Sequence, residues 1–122
     1  MNENQQIKQA DELAKLAYEI LDMKKADEVK MLSVRKKTVL ADFLVIATGT
    51  SNTHVSALSG ELEFQLREKL GISPLRTEGF SGDTWVLLDY GSVIVHIFTQ
   101  EAREFYKLEK LWEENEANVT LE

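Results

Sequence analysis

Between Asp42 and Thr48 the chain reads DFLVIAT, and from Phe43 to Ala47 no polar residue interrupts it. A strand with one wet face alternates apolar and polar side chains; this one does not, so both of its faces have to be covered. The run is also far too short to span a membrane. It leads directly into Gly49-Thr50-Ser51, after which Val55, Leu58, Leu62, Leu66 and Leu70 recur at helical spacing. Ser51 suits an N-cap and Gly71 a helix end, so a helix over 51–70 is expected to pack on a central strand over 42–48. That pairing alone points to an α/β fold.

The flanking segments fit the same class. Ile7, Leu13, Leu16, Ala17, Ile20 and Leu21 predict an amphipathic helix from Gln5 to Lys24. Glu28 to Val34 reads as a strand, followed by the basic turn Arg35-Lys36-Lys37. Pro74 to Glu78 reads as a short strand, and 78–83 as a loop with two glycines. The stretch WVLLDYGSVIVHIF predicts a hairpin folded around Tyr90-Gly91. Thr99 can cap a last helix, with Ala102, Phe105, Leu108 and Trp112 on one side and Tyr106 and Leu111 adjoining. The order is therefore α-β-β-α-β-β-β-α, a mixed β-sheet with helices packed on it. Strand 42–48, helix 51–70 and strand 74–78 are expected to form a crossover unit. One domain over 1–115 is expected, with 116–122 as a fraying acidic tail.

Charge and composition narrow the function classes. The chain has 122 residues, no cysteine and a net charge of −7. Absence of cysteine excludes disulfides, thiolate metal sites and thiol catalysis. A negative surface repels phosphate backbones, so little direct nucleic-acid binding is expected and a basic protein suits better. The polar, acidic start MNENQQIKQADE resembles neither a signal nor a transit peptide, and we expect a cytoplasmic protein away from membranes.

The motifs that could carry chemistry fall short of it. A strand–turn–helix at GTSNTH can present backbone N–H groups to an anion, but it lacks the second glycine and the lysine of a P-loop. Ser51 has His54 three residues on, without the glycine of a nucleophile elbow or an acid to orient the imidazole. His54 and His96, with Asp42, Asp83 or Asp89, show no metal-ligand spacing. Asp89 has no neighbouring carboxylate with which to hold a divalent ion. No catalytic residue, metal or cofactor is expected. The hairpin instead gathers Trp85, Asp89, Tyr90 and His96, residue types that serve protein-binding hot spots as well as cores.

Taken together, DFLVIATGTS, the dipeptide Glu78-Gly79, WVLLDYGSVIVHIF and REFYKLEKLW resemble the ribosomal silencing factor family, also called Iojap-related. The likeness runs from about Val29 to Trp112. It implies a fold similar to nucleotidyltransferases without their catalytic acids. It also implies a non-enzymatic translational repressor that binds large-subunit ribosomal protein fourteen, blocks joining of the small subunit and damps translation under nutrient limitation. Members commonly form homodimers. Carried onto this chain, the resemblance places partner contacts at Trp85, Val86, Asp89, Tyr90 and Gly91, with Trp85 as aromatic anchor and Asp89 meeting a basic side chain; His96, from the same hairpin's hot-spot residue types, is expected to join them. Many members carry an acid where this chain has Ser92. Tyr106 and Trp112 are candidates for a dimer or second contact surface. Two other classes stay open on the residues alone: a nucleotide-binding or nucleotidyl-transferring enzyme using Gly49 to Ser51, and a non-catalytic homodimeric scaffold.

Overall fold

The computed structural model describes residues 3–36, 41–80 and 84–106. Along these, the elements are α1 (Glu3–Met23), β1 (Asp27–Ser33), β2 (Phe43–Gly49), α2 (Asn52–Leu70), β3 (Arg76–Phe80), β4 (Trp85–Asp89), β5 (Val93–Thr99) and α3 (Gln100–Tyr106). The order matches the expected one. The tail 116–122 and the stretch from Leu108 to Trp112 lie outside the described residues.

All seven residues of β2 are buried, as its sequence demands. The strand lies inside a five-stranded sheet of order β1-β2-β5-β4-β3, paired antiparallel with β1 and parallel with β5. Alternation sends Phe43, Val45 and Ala47 to one face, where Val93, Val95 and Ile97 of β5 and Val86 and Leu88 of β4 join them. This face is covered by the apolar stripes of α1 (Ala10, Leu13, Ala14, Ala17, Ile20, Leu21) and α2 (Val55, Leu58, Leu62, Leu66). The opposite face holds Ile46 and Phe98, against which Ala102 of α3 packs.

Helix boundaries follow local chemistry. Ser51 is extended, and its hydroxyl accepts from the His54 N–H at 3.1 Å. Gly71 sits at φ 67 and donates its N–H to the Arg67 carbonyl at 2.9 Å, closing α2 in the left-handed conformation glycine favours. Thr99 Oγ1 accepts from the Ala102 N–H at 3.3 Å and so starts α3.

Two expectations are corrected. The strands joined by α2 are not neighbours: the parallel partner of β2 is β5, and β3 lies at the sheet edge beyond β4. The pairings still make β2 and β3 run in the same direction, but two strands separate them. Gly79 and Phe80, expected as loop, belong to β3 and pair with Val86 and Trp85. The open edge of β4 offers Glu78–Phe80 a ladder that outweighs the turn signal of Gly79. Pro74, with no N–H to give, stays outside it.

Arg103 ties α3 to the sheet. It is only 4% exposed, and Nη1 donates to Thr48 Oγ1 at 2.6 Å and to the Glu28 carbonyl at 2.7 Å. Glu28 is itself strained, at φ 45, where the β1–β2 register shifts between Asp27 and Lys30. A charged guanidinium on that carbonyl helps hold the unfavourable backbone. Arg103→Ala is therefore expected to cost about 2–3 kcal/mol of stability. Lysine should rescue it poorly, because its side chain is one bond shorter and its ammonium stops short of where Nη1 meets both acceptors. Urea midpoints for both variants check this, and a midpoint unchanged in Arg103→Ala would contradict it.

Candidate protein-docking face

The β4–β5 hairpin turns at Tyr90–Ser92, where the Tyr90 N–H donates to the Val93 carbonyl at 2.9 Å. Gly91 adopts φ 87, a conformation that other residues resist. Trp85, Leu87 and Asp89 share the face of β4 turned away from α1 and α2, and all three are half-buried. Across from them on β5 stand Phe98, His96 and Ile94 in register.

The rings form one cluster. Trp85 and Phe98 are 5.0 Å apart between centroids, tilted at 37°. His96 lies 5.9 Å from Phe98 and nearly parallel to it, at 8°. The Trp85 indole N–H donates to His96 Nδ1 at 2.9 Å. A ring nitrogen that accepts must be unprotonated, so the neutral imidazole carries its proton on Nε2. Burial enforces that state by pushing the His96 pKa from its ordinary 6.5 down to about 4.

Asp89 is engaged within the chain. One oxygen accepts the Gly91 N–H at 2.8 Å, and the other meets Arg76 Nε at 3.3 Å across the β3–β4 pair. Arg76 also pairs with Glu78 at 3.0 Å. The carboxylate thus braces turn and edge strand; its remaining lone pairs are what a basic partner would use. Sequence reasoning missed Arg76, because no signal short of the strand register puts it opposite Asp89.

Several expected contact residues stand elsewhere. Val86 is 6% exposed within the core beneath the helices, because alternation turns it away from Trp85. A direct contact by Val86 is therefore corrected to a packing role. Tyr90 also packs against that core; its hydroxyl is buried without a hydrogen-bond partner. Burial, with Glu63 nearby, pushes its phenol up to about 12. His96 lies on the Trp85 face but is only 6% exposed, so it supports that face from within and a direct contact is corrected likewise. Tyr106 ends α3 with its side chain outside the described residues, as is all of Trp112.

The GTSNTH turn is closed by its own groups. The Thr50 N–H donates to His54 Nδ1 at 2.8 Å, and the Val55 N–H goes to the Ser51 carbonyl at 2.9 Å. His54 Nε2, which then carries the ring proton, reaches the Lys24 carbonyl at 3.3 Å and clips the end of α1 to the start of α2. Gly49 serves close packing: a Cβ there would lie 2.8 Å from Val55 Cγ2 and 3.0 Å from its backbone nitrogen. Among the described residues no group of His, Asp or Glu is arranged to hold a metal ion, and no helix is long and apolar enough to cross a membrane.

What remains is a mixed α/β module whose hairpin carries an aromatic, partly open face. The comparisons with known proteins agree with that class. The profile of the family described as "Ribosomal silencing factor during starvation" matches residues 7–122. A ribosomal silencing factor of Halalkalibacterium halodurans is 41% identical over 101 residues, covering 83% of this chain and 86% of that relative. The mouse protein named "Mitochondrial assembly of ribosomal large subunit protein 1" is 33% identical over 95 residues, covering 76% of this chain and 42% of its own. A crystal structure of a Chromobacterium violaceum protein superposes with a TM-score of 0.80 at 36% identity, covering 84% of this chain and 85% of that one. The chain belongs to the ribosomal silencing factor family.

The buried imidazole sets a pH dependence. Between pH 6.5 and about 4 the unfolded chain protonates His96 while the folded chain does not. Stability should therefore be fully present above pH 6.5 and fall as the pH drops, by about 3 kcal/mol in all. The difference in urea midpoint between the wild type and His96→Asn, followed across that window, isolates the contribution from the carboxylates. A difference that does not vary with pH would contradict it.

Proposed function

We propose that this chain is a non-catalytic translational repressor. It binds the large ribosomal subunit through large-subunit ribosomal protein fourteen and keeps the small subunit from joining, damping translation when nutrients fall. The observation that carries this reading is the family match over residues 7–122, whose description names silencing of the ribosome during starvation. Two further points support it. The mouse relative's name ties that protein to the large subunit. A net charge of −7 favours a basic ribosomal protein over exposed RNA.

Contact is assigned to the face around Trp85, with Leu87, Ile94 and Asp89 beside it. A half-buried tryptophan held by neighbouring rings offers a large apolar area already fixed in place, which is how hot spots gain affinity. Binding by occupation needs no bond to be made or broken. The nucleotide-handling alternative finds its turn filled by Ser51 and His54 side chains. Self-association of the free chain in the cytoplasm belongs to the same proposal.

Mixed with dissociated subunits, the chain should lower whole-ribosome formation on a density gradient in proportion to its concentration. Trp85→Ala should weaken binding to the large subunit by about thirtyfold or more, or about 2 kcal/mol. Undiminished subunit joining at saturating protein would overturn the proposal. Micromolar binding of nucleoside triphosphates with Mg²⁺ in calorimetry would favour the enzyme instead.

A further inference from the structure

Trp85 is held in a particular way, and the holding group is His96. The indole N–H is spent inside the protein, on His96 Nδ1 at 2.9 Å. His96 pairs with Ile46 on one side and Leu87 on the other, so it sits in the middle of the sheet rather than at its rim. At 6% exposure it cannot meet a partner while the sheet is intact. Its ring is fixed in turn by lying nearly parallel to Phe98, at 8°. Phe98 is 1% exposed and packs with Ile46 and Ala102. A chain of contacts thus runs from the closed core through Phe98 and His96 to the half-buried indole.

We propose that His96 is a positioning residue for ribosome binding: by accepting the Trp85 indole N–H, it fixes the angle at which the ring meets the partner. This rests on the proposed function, in which Trp85 belongs to the contact face. The physical reason is preorganisation. A tryptophan free to change rotamer loses that freedom on binding, whereas one already anchored does not. The same bond decides what Trp85 presents. With its only donor turned inward, the outward part of the ring offers an apolar and π surface, suited to aliphatic or cationic side chains. An acceptor on the partner finds no donor there.

His96→Leu and His96→Asn separate positioning from bulk. Leucine fills similar space without an acceptor; the Asn side-chain oxygen occupies the place of Nδ1. Two readouts are needed: affinity for the large subunit, and solvent exchange of the Trp85 indole proton by NMR. The chain has two tryptophans, and a Trp112→Phe variant assigns the resonances. His96→Leu should speed indole exchange and weaken binding, each by about tenfold, and His96→Asn should restore both toward wild type. In a Trp85→Phe background, which has no indole N–H at position 85, His96→Leu should weaken binding no further.

Unchanged indole exchange in His96→Leu would overturn the inference. So would freed exchange with full-strength binding, or an Asn variant that binds as poorly as Leu. Should His96→Leu not fold, His96→Phe, which keeps a flat ring but offers no acceptor, takes its place with the same two readouts. Unchanged indole exchange or full-strength binding in that variant overturns the inference. A wild-type chain that fails to bind the subunit would overturn both the functional proposal and the positioning role of His96. A chain that binds normally but ignores His96→Leu overturns the positioning role alone.

Discussion

Everything in this fold depends on hiding β2 from both sides. Seven consecutive buried residues cannot sit at an edge or on a one-faced sheet, so β1 and β5 must flank the strand and each face needs a cover. Two long helices, α1 and α2, supply one cover with continuous apolar stripes. On the other face the described cover is different in kind: the short α3, pinned by Arg103, and the ring cluster of Trp85, His96 and Phe98. Rings reach further than aliphatic side chains, so one cluster can close the core beneath and still present surface above. The candidate docking face is in this sense a by-product of how the central strand is sealed.

The same economy accounts for the turn after β2. A strand running into a helix N-terminus is a natural anion site, and many α/β proteins use it for phosphates. Here Ser51 and His54 take up backbone donors that a phosphate would need, and the His54 ring is drawn further to the Lys24 carbonyl. Gly49 is required by contact with Val55, whatever the turn binds. A glycine and two hydroxyl residues at a helix start therefore say little about ligands until their hydrogen bonds are traced.

Much of the architecture was legible because it is written in local patterns. The unbroken run at Phe43–Ala47 marked the central strand, and Ser51, Gly71 and Thr99 marked helix ends by their own chemistry. What sequence could not supply was register. Which strand stands beside β2 is decided by pairing across long separations, and the helix that follows β2 pointed to β3 when β5 is the neighbour. Register also hid the partners of the site residues: Arg76 opposite Asp89, and His96 diagonal to Trp85. Alternation along β4 did foretell that Val86 and Trp85 face opposite ways. Val86, expected as a contact, lies buried beneath the helices for that reason. Family likeness was legible because WVLLDYGSVIVHIF and REFYKLEKLW are long and specific, whereas GTSNTH is neither.

The central claim is that the aromatic face of the hairpin, and not the helical face, meets the ribosome. Site-specific photocrosslinking tests it most directly, with a probe at Leu87 beside Trp85 and another at Phe64, which is 54% exposed on α2. On purified large subunits the account predicts that the probe at 87 crosslinks to ribosomal protein fourteen and the probe at 64 does not. Crosslinks from 64 with none from 87, both variants binding normally, would contradict it.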